Sequence, residues 1–138
     1  MINEITMYAK VRGRFQTPNN SLQVIEISSF KQLLEGEKES FIRQHYTDVE
    51  LNVNYIGERR IQYLAGRWAA KRAIIDILGN EPSLSGIDIQ ILRSPTGQPS
   101  VTLFDRCQAM ATILKIQQWL LSISHTTTHA VASIVATV

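Results

Sequence analysis

Residues 63–79 read YLAGRWAAKRAIIDILG. Alanine and leucine are strong helix formers, and Gly79-Asn80 supplies a left-handed stop. The pattern predicts one long helix from about Glu58 to Leu78. Ile61, Leu64, Trp68, Ile75 and Leu78 form an apolar stripe at helical spacing, with Ala65, Ala69, Ala73 and Ile77 as a second row beside it. A helix apolar over so much of its circumference is mostly buried. Lys71 lies on the first stripe, Arg72 follows it, and Asp76 comes one turn later. Two cations and an acid on such a helix are either a solvated stripe or a site.

On the N-terminal side, residues 3–15 are expected to hold a short strand with basic flanks (Lys10, Arg12, Arg14), and 17–20, TPNN, a turn. SLQVIEISSF is rich in β-branched residues and predicts a strand from about Leu22 to Ile27. A helix in two pieces, broken near Gly36, should follow, capped by Ser28 or Ser29. The segment after it, TDVELNVNYIG, reads as irregular, with Asn54 as a cap for the long helix. On the C-terminal side, IDIQILRSPTGQPSVTL reads as a hairpin turning at Gly97. WLLSISHTTTHAVASIVATV reads as a second hairpin, turning near Thr126–Thr128. Its last strand is apolar on both faces, which places it centrally in a sheet. Residues 104–118 are open between helix and loop. The expected fold class is α+β, with a long central helix packed on an antiparallel sheet, in one domain over 1–138.

The 138 residues carry 44% apolar and 19% charged side chains and a formal charge of +2. That is globular composition, long enough for a sizeable core. The weak positive charge and the lack of basic residues interleaved with aromatics argue against nucleic acid. No run approaches membrane-span length, and no apolar stretch near the start has signal-peptide length. The lone Cys107 excludes an internal disulfide framework. A cytoplasmic protein is expected. His45, His125, His129 and Cys107 lack a structural zinc spacing. Ser124 and His125 are strand neighbours that point to opposite faces, so they form no nucleophile–base dyad.

Five segments, taken in order, carry a resemblance: SLQVIEISSF, FIRQHYTDVE, YLAGRWAAKRAIIDILG, IDIQILRSPTGQPSVTL and LLSISHTTTHAVASIVA. Together they resemble the holo-acyl-carrier-protein synthases, the small 4′-phosphopantetheinyl transferases. GIDIQI at 86–91 copies the letters of that family's opening strand but follows the long helix and belongs to the hairpin. The resemblance implies transfer of 4′-phosphopantetheine from coenzyme A to a serine of an acyl carrier protein, as in fatty acid biosynthesis. It implies a homotrimer with coenzyme A in clefts between subunits. It also implies magnesium, held by an Asp of the opening strand and a Glu of the central helix.

This chain departs from that pattern. Gln23 stands at the strand Asp, Arg72 at the helix Glu and Asp76 at a lysine one turn further on. Ser29 replaces an arginine implied to dock the acidic carrier, and Leu120 a histidine. Arg67, Lys71, Gly97, Pro99, Ser124 and His125 remain at positions implied to lie near coenzyme A. An amide is a poor magnesium ligand and a guanidinium cannot be one, so no metal ligands are assigned. The favoured expectation is a family member with lost or strongly reduced transfer. The alternatives are an active transferase using Arg72 in place of magnesium, and an unrelated α+β binding module. Arg72 is expected to pair with Asp76 and touch Gln23.

Overall fold

The computed structural model describes residues 19–138. The strand expected within 3–15 lies outside the described residues, as does the start of the turn cluster at 17–20. The described chain runs β1 (Asn20–Glu26), α1 (Ile27–His45), α2 (Asp48–Leu51), α3 (Gly57–Ile77), a single 3₁₀ turn (Gly86–Asp88), β2 (Ile89–Arg93), β3 (Pro99–Leu103), α4 (Asp105–Ile113), β4 (Gln118–His125) and β5 (His129–Thr137). Helix α4 settles the open segment. The architecture is α+β.

Two antiparallel sheets form, one ordered β1-β5-β4 and one a two-stranded hairpin of β2 and β3. β5 is central, as its apolar character predicts. Ala130, Ala132, Ile134 and Ala136 are its buried face, and they share the core with Ala69, Ala70, Ala73, Ile74 and Ile77 of α3. Alanines on both sides let helix and sheet approach closely. Gly66 takes this further: a methyl group there would lie 2.9 Å from Ile123 Cγ2 of β4. At the helix C-terminus Gly79 and Asn80 adopt φ of 106° and 57°. The Asn80 amide bonds back to the Ile75 carbonyl at 2.9 Å, closing the helix as expected.

Four local expectations are corrected. Helix α1 is one piece of 19 residues, not two. Ile27, Phe30, Leu34 and Phe41 bury one stripe along its whole length, which outweighs the roughly 1 kcal/mol that a mid-helix glycine costs. Gly36 is exposed, and a methyl group there would meet nothing within 4 Å. Gly36→Ala is therefore expected to stabilise the fold by about 0.5–1 kcal/mol, read as a raised urea midpoint at unchanged slope. An unchanged or lowered midpoint would refute it.

Ser28 and Ser29 do not cap α1. The strand passes directly into the helix at Glu26, and both hydroxyls donate to Glu26 Oε1 (2.7 and 2.9 Å). Those two bonds hold the exposed Glu26 carboxyl below its ordinary pKa. Asn54 does not cap α3 either; Ile56 occupies that position with no side-chain bond. The supposedly irregular stretch contains α2, whose Thr47 and Glu50 form a reciprocal capping box.

Candidate functional site

Helix α3 presents two polar faces to different surroundings. Tyr63, Arg67 and Lys71 follow one another at four-residue spacing on one face. Trp68, Arg72, Ile75 and Asp76 lie on another.

On the first face, Lys71 and Glu50 are both fully buried. Lys71 Nζ donates to Glu50 Oε1 at 2.6 Å, to the Gly86 carbonyl at 2.8 Å and to the Ile89 carbonyl at 2.6 Å. Its three protons are thereby used. Glu50 in turn accepts from the Thr47 amide at 2.9 Å and, through Oε2, from the Ile91 amide at 2.9 Å. Gly86 leaves room for the lysine stem: a methyl group would sit 3.3 Å from Lys71 Cδ and 3.1 Å from the His45 carbonyl. This network ties α2, α3, the 3₁₀ turn and β2 together. Desolvation pulls the Lys71 pKa down, against the opposing pull of Glu50. Lys71, which the resemblance places near coenzyme A, turns its head group inward, where it is saturated. Glu50, its partner, is a buried structural acid that the sequence reading did not single out. The T-x-x-E spacing of Thr47 and Glu50 signals a cap, and nothing local signals Lys71 beyond it.

Arg67 differs. It is 5% exposed, its Nε is buried without a hydrogen-bond partner, and among the described residues it forms no ion pair. Its guanidinium lies over the Tyr63 ring, 4.4 Å from the centroid. A buried cation without a counter-charge is costly. The Tyr63 face supplies part of the compensation.

On the second face, Gln23, Trp68, Arg72, Ile75, Asp76 and Asn80 line a pocket of about 310 Å³ between β1 and α3. The structure thus brings together the three substituted positions. It does not pair them. Arg72 is exposed and makes no hydrogen bond or ion pair among the described residues. Asp76 Oδ1 instead accepts from Asn80 Nδ2 at 2.8 Å, and Gln23 Nε2 donates to Ser21 Oγ at 3.3 Å. The expected Arg72–Asp76 contact is corrected. Asn80, fixed by the helix stop, satisfies that carboxylate locally, while a guanidinium at the rim retains its hydration. Trp68 forms the apolar wall, held edge-on to Phe41 at 5.0 Å and against His45 at 4.5 Å.

The remaining candidates lie elsewhere. Gly97 has φ of 90° in the β2–β3 turn, which its own bonds close: Gly97 N to the Ser94 carbonyl at 2.8 Å and Ser94 N to the Gln98 carbonyl at 2.7 Å. Pro99 begins β3. Ser124 and His125 are exposed at the end of β4. Within one chain these residues do not share a pocket with Arg72.

Magnesium needs several hard oxygens. The pocket offers one carboxylate, already bonded to Asn80, two amide oxygens, on Gln23 and Asn80, and a guanidinium. Among the described residues no three His, Cys, Asp or Glu side chains gather. The donor set does not fit a divalent cation. Among the described residues no helix is long and apolar enough to cross a membrane.

No family model matches the chain. Relatives and folds do. A holo-[acyl-carrier-protein] synthase of Dehalococcoides mccartyi is 35% identical over 113 residues, which cover 82% of this chain and 92% of the relative. One of Caldicellulosiruptor bescii is 32% identical over 120 residues, covering 86% and 96%. The crystal structure of a holo-(acyl-carrier-protein) synthase from Bacillus anthracis in complex with CoA (3′,5′-ADP) superposes with a TM-score of 0.70 at 26% identity, covering 86% of this chain and 94% of that one. The alternative of an unrelated binding module is set aside. With identity of this level along nearly the whole length of its relatives, and with their fold, the chain belongs to the holo-[acyl-carrier-protein] synthase family.

Proposed function

We propose that this protein binds coenzyme A and an acyl carrier protein, with transfer of 4′-phosphopantetheine lost or strongly reduced. Arg67 carries the binding half of this reading. A guanidinium that is nearly buried, lacks an acid and keeps an unsatisfied Nε is built to receive an anion, and a phosphate offers it charge-assisted bonds. Gly97, Pro99, Ser124 and His125 are the further candidates for coenzyme contacts, by the family's pattern. Reduced transfer rests on Gln23 and Arg72, which leave no carboxylate pair for magnesium. A second reading, an active transferase, is favoured by one observation only: Arg72 is an unpaired cation at the pocket rim.

Assembly as a homotrimer is part of the proposal. Leu22, Val24, Leu120 and Val135 are exposed large apolar residues. The register puts Leu120 opposite Val135 on β4 and β5, and strand alternation puts Leu22 and Val24 on the same outer face. Such a face is an interaction surface.

One preparation tests both. The protein is mixed with coenzyme A, magnesium and an apo acyl carrier protein, the carrier is weighed by mass spectrometry, and the assembly is sized by light scattering. The expected result is an unmodified carrier and a three-chain mass. Complete conversion of the carrier would overturn the loss of transfer and select the second reading. A stable monomer at micromolar concentration would overturn the trimer.

A further inference from the structure

We propose that the pocket between β1 and α3 takes a diphosphate directly on the Arg72 guanidinium, with no divalent metal between them. The inference rests on the coenzyme A reading above and says how this site would hold that ligand.

Arg72 is the cation of α3 that reaches this pocket, since its neighbour Lys71 is sealed inside by three bonds. Its fork of donors is unclaimed and matches phosphate oxygens two at a time. Two side-chain amides add to it. Gln23 uses one donor on Ser21 and Asn80 one on Asp76, and an amide has two, so each keeps one for a ligand. Trp68 and Ile75 supply an apolar wall, which strengthens electrostatic contacts at the rim.

Asp76 is the single group lining the pocket that opposes an anion. It also fixes the charge balance. Arg72 and Asp76 sum to zero, so a diphosphate enters a neutral, donor-rich cleft. Two carboxylates at the pocket would have made a cation obligatory. Here an incoming divalent cation instead meets a guanidinium and one carboxylate already engaged by Asn80. Arg72 therefore replaces the metal as the charge that the phosphates bind.

Calorimetry on the full chain, with inorganic diphosphate and coenzyme A as separate probes, tests this in EDTA and in excess magnesium. Both probes are expected to bind in EDTA, and magnesium should not tighten either. Arg72→Gln is expected to weaken both about tenfold, the loss of one charge-assisted contact. Asp76→Asn is expected to tighten both by about threefold, since it removes a like charge in a solvated cleft. Unchanged melting temperatures would show that neither variant acts through folding. Binding seen only with magnesium, or an Arg72→Gln variant that binds as the parent does, would overturn the inference and leave the coenzyme A reading standing. Diphosphate bound in EDTA and lost in Arg72→Gln, with coenzyme A bound under no condition, would support the pocket and overturn the coenzyme A reading.

Discussion

Lys71→Met is expected to cost about 3–5 kcal/mol of folding stability, a large part of the 5–15 kcal/mol a domain of this size possesses. The cost is not the lysine's own worth. Deleting the ammonium leaves the Glu50 carboxylate fully buried with only the Thr47 and Ile91 amides, and strips the Gly86 and Ile89 carbonyls of their partner. Glu50→Ala is expected to be as severe, since it strands a buried ammonium. The two together should cost clearly less than the sum of the singles, because neither orphaned charge remains. Urea unfolding of the four proteins measures the coupling. Singles within about 1 kcal/mol of the parent, or strict additivity, would show that the network carries no such energy. A second consequence separates this pair from ordinary core. The β2–β3 hairpin pairs with no other strand among the described residues, and a lone hairpin is marginal in water. Ile89 and Ile91 in the core hold it, and so does the Glu50–Lys71 node. Hydrogen exchange in Lys71→Met should therefore speed up first at Ile91, whose amide faces Glu50.

The combined change Gln23→Asp, Arg72→Glu and Asp76→Lys is expected to create magnesium-dependent transfer, raising the rate by about a thousandfold over the unaltered protein. That corresponds to roughly 4 kcal/mol of charge stabilisation at a phosphoryl group in flight. All three positions line one pocket and are half-buried or exposed, so the fold tolerates the exchange. The single Arg72→Glu change should do worse than the parent. Its carboxylate would face Asp76 one turn away as a like charge, and the change would remove the cation that this pocket offers the phosphates. Carrier mass against a magnesium titration reads both variants. If the triple change yields neither metal binding nor transfer, the loss extends beyond this pocket, and Ser29 and Leu120 are the next positions to restore.

Much of the fold was legible in the residues. The 3.6-residue stripes of α3, the β-branched run of β1, the two turns and the apolar β5 each state their element through periodicity, and the tertiary structure agrees with them. What failed was short or non-local. Helix α2 has four residues, too few for a period, and only its capping box marks it. Gly36 reads as a break because a local penalty is visible in sequence, whereas the buried stripe that outweighs it is spread over four turns. The two cations of the opening stretch exchange settings. Lys71, placed near coenzyme A by the resemblance, has its head group sealed inside, and Arg72, expected to pair with Asp76, stands free at the rim. That reversal was not readable, since the partner deciding it, Glu50, lies 21 residues away, and no spacing rule joins a short helix to a long one.

The middle position of β5 also dictates the order in which this chain can be completed on the ribosome. β1 hydrogen-bonds to β5 along its whole length, from Asn20 opposite Val135 to Glu26 opposite His129, and β4 closes on the other side of the same strand. β1 must wait for β5. Until then the alanine and isoleucine face of α3 has no sheet to cover it, and the nascent chain displays an apolar helix at the stage when unpartnered surfaces aggregate. A chain stopped before His129 would keep both outer strands and lack the one that joins them, so its defect would be a missing core rather than a frayed end.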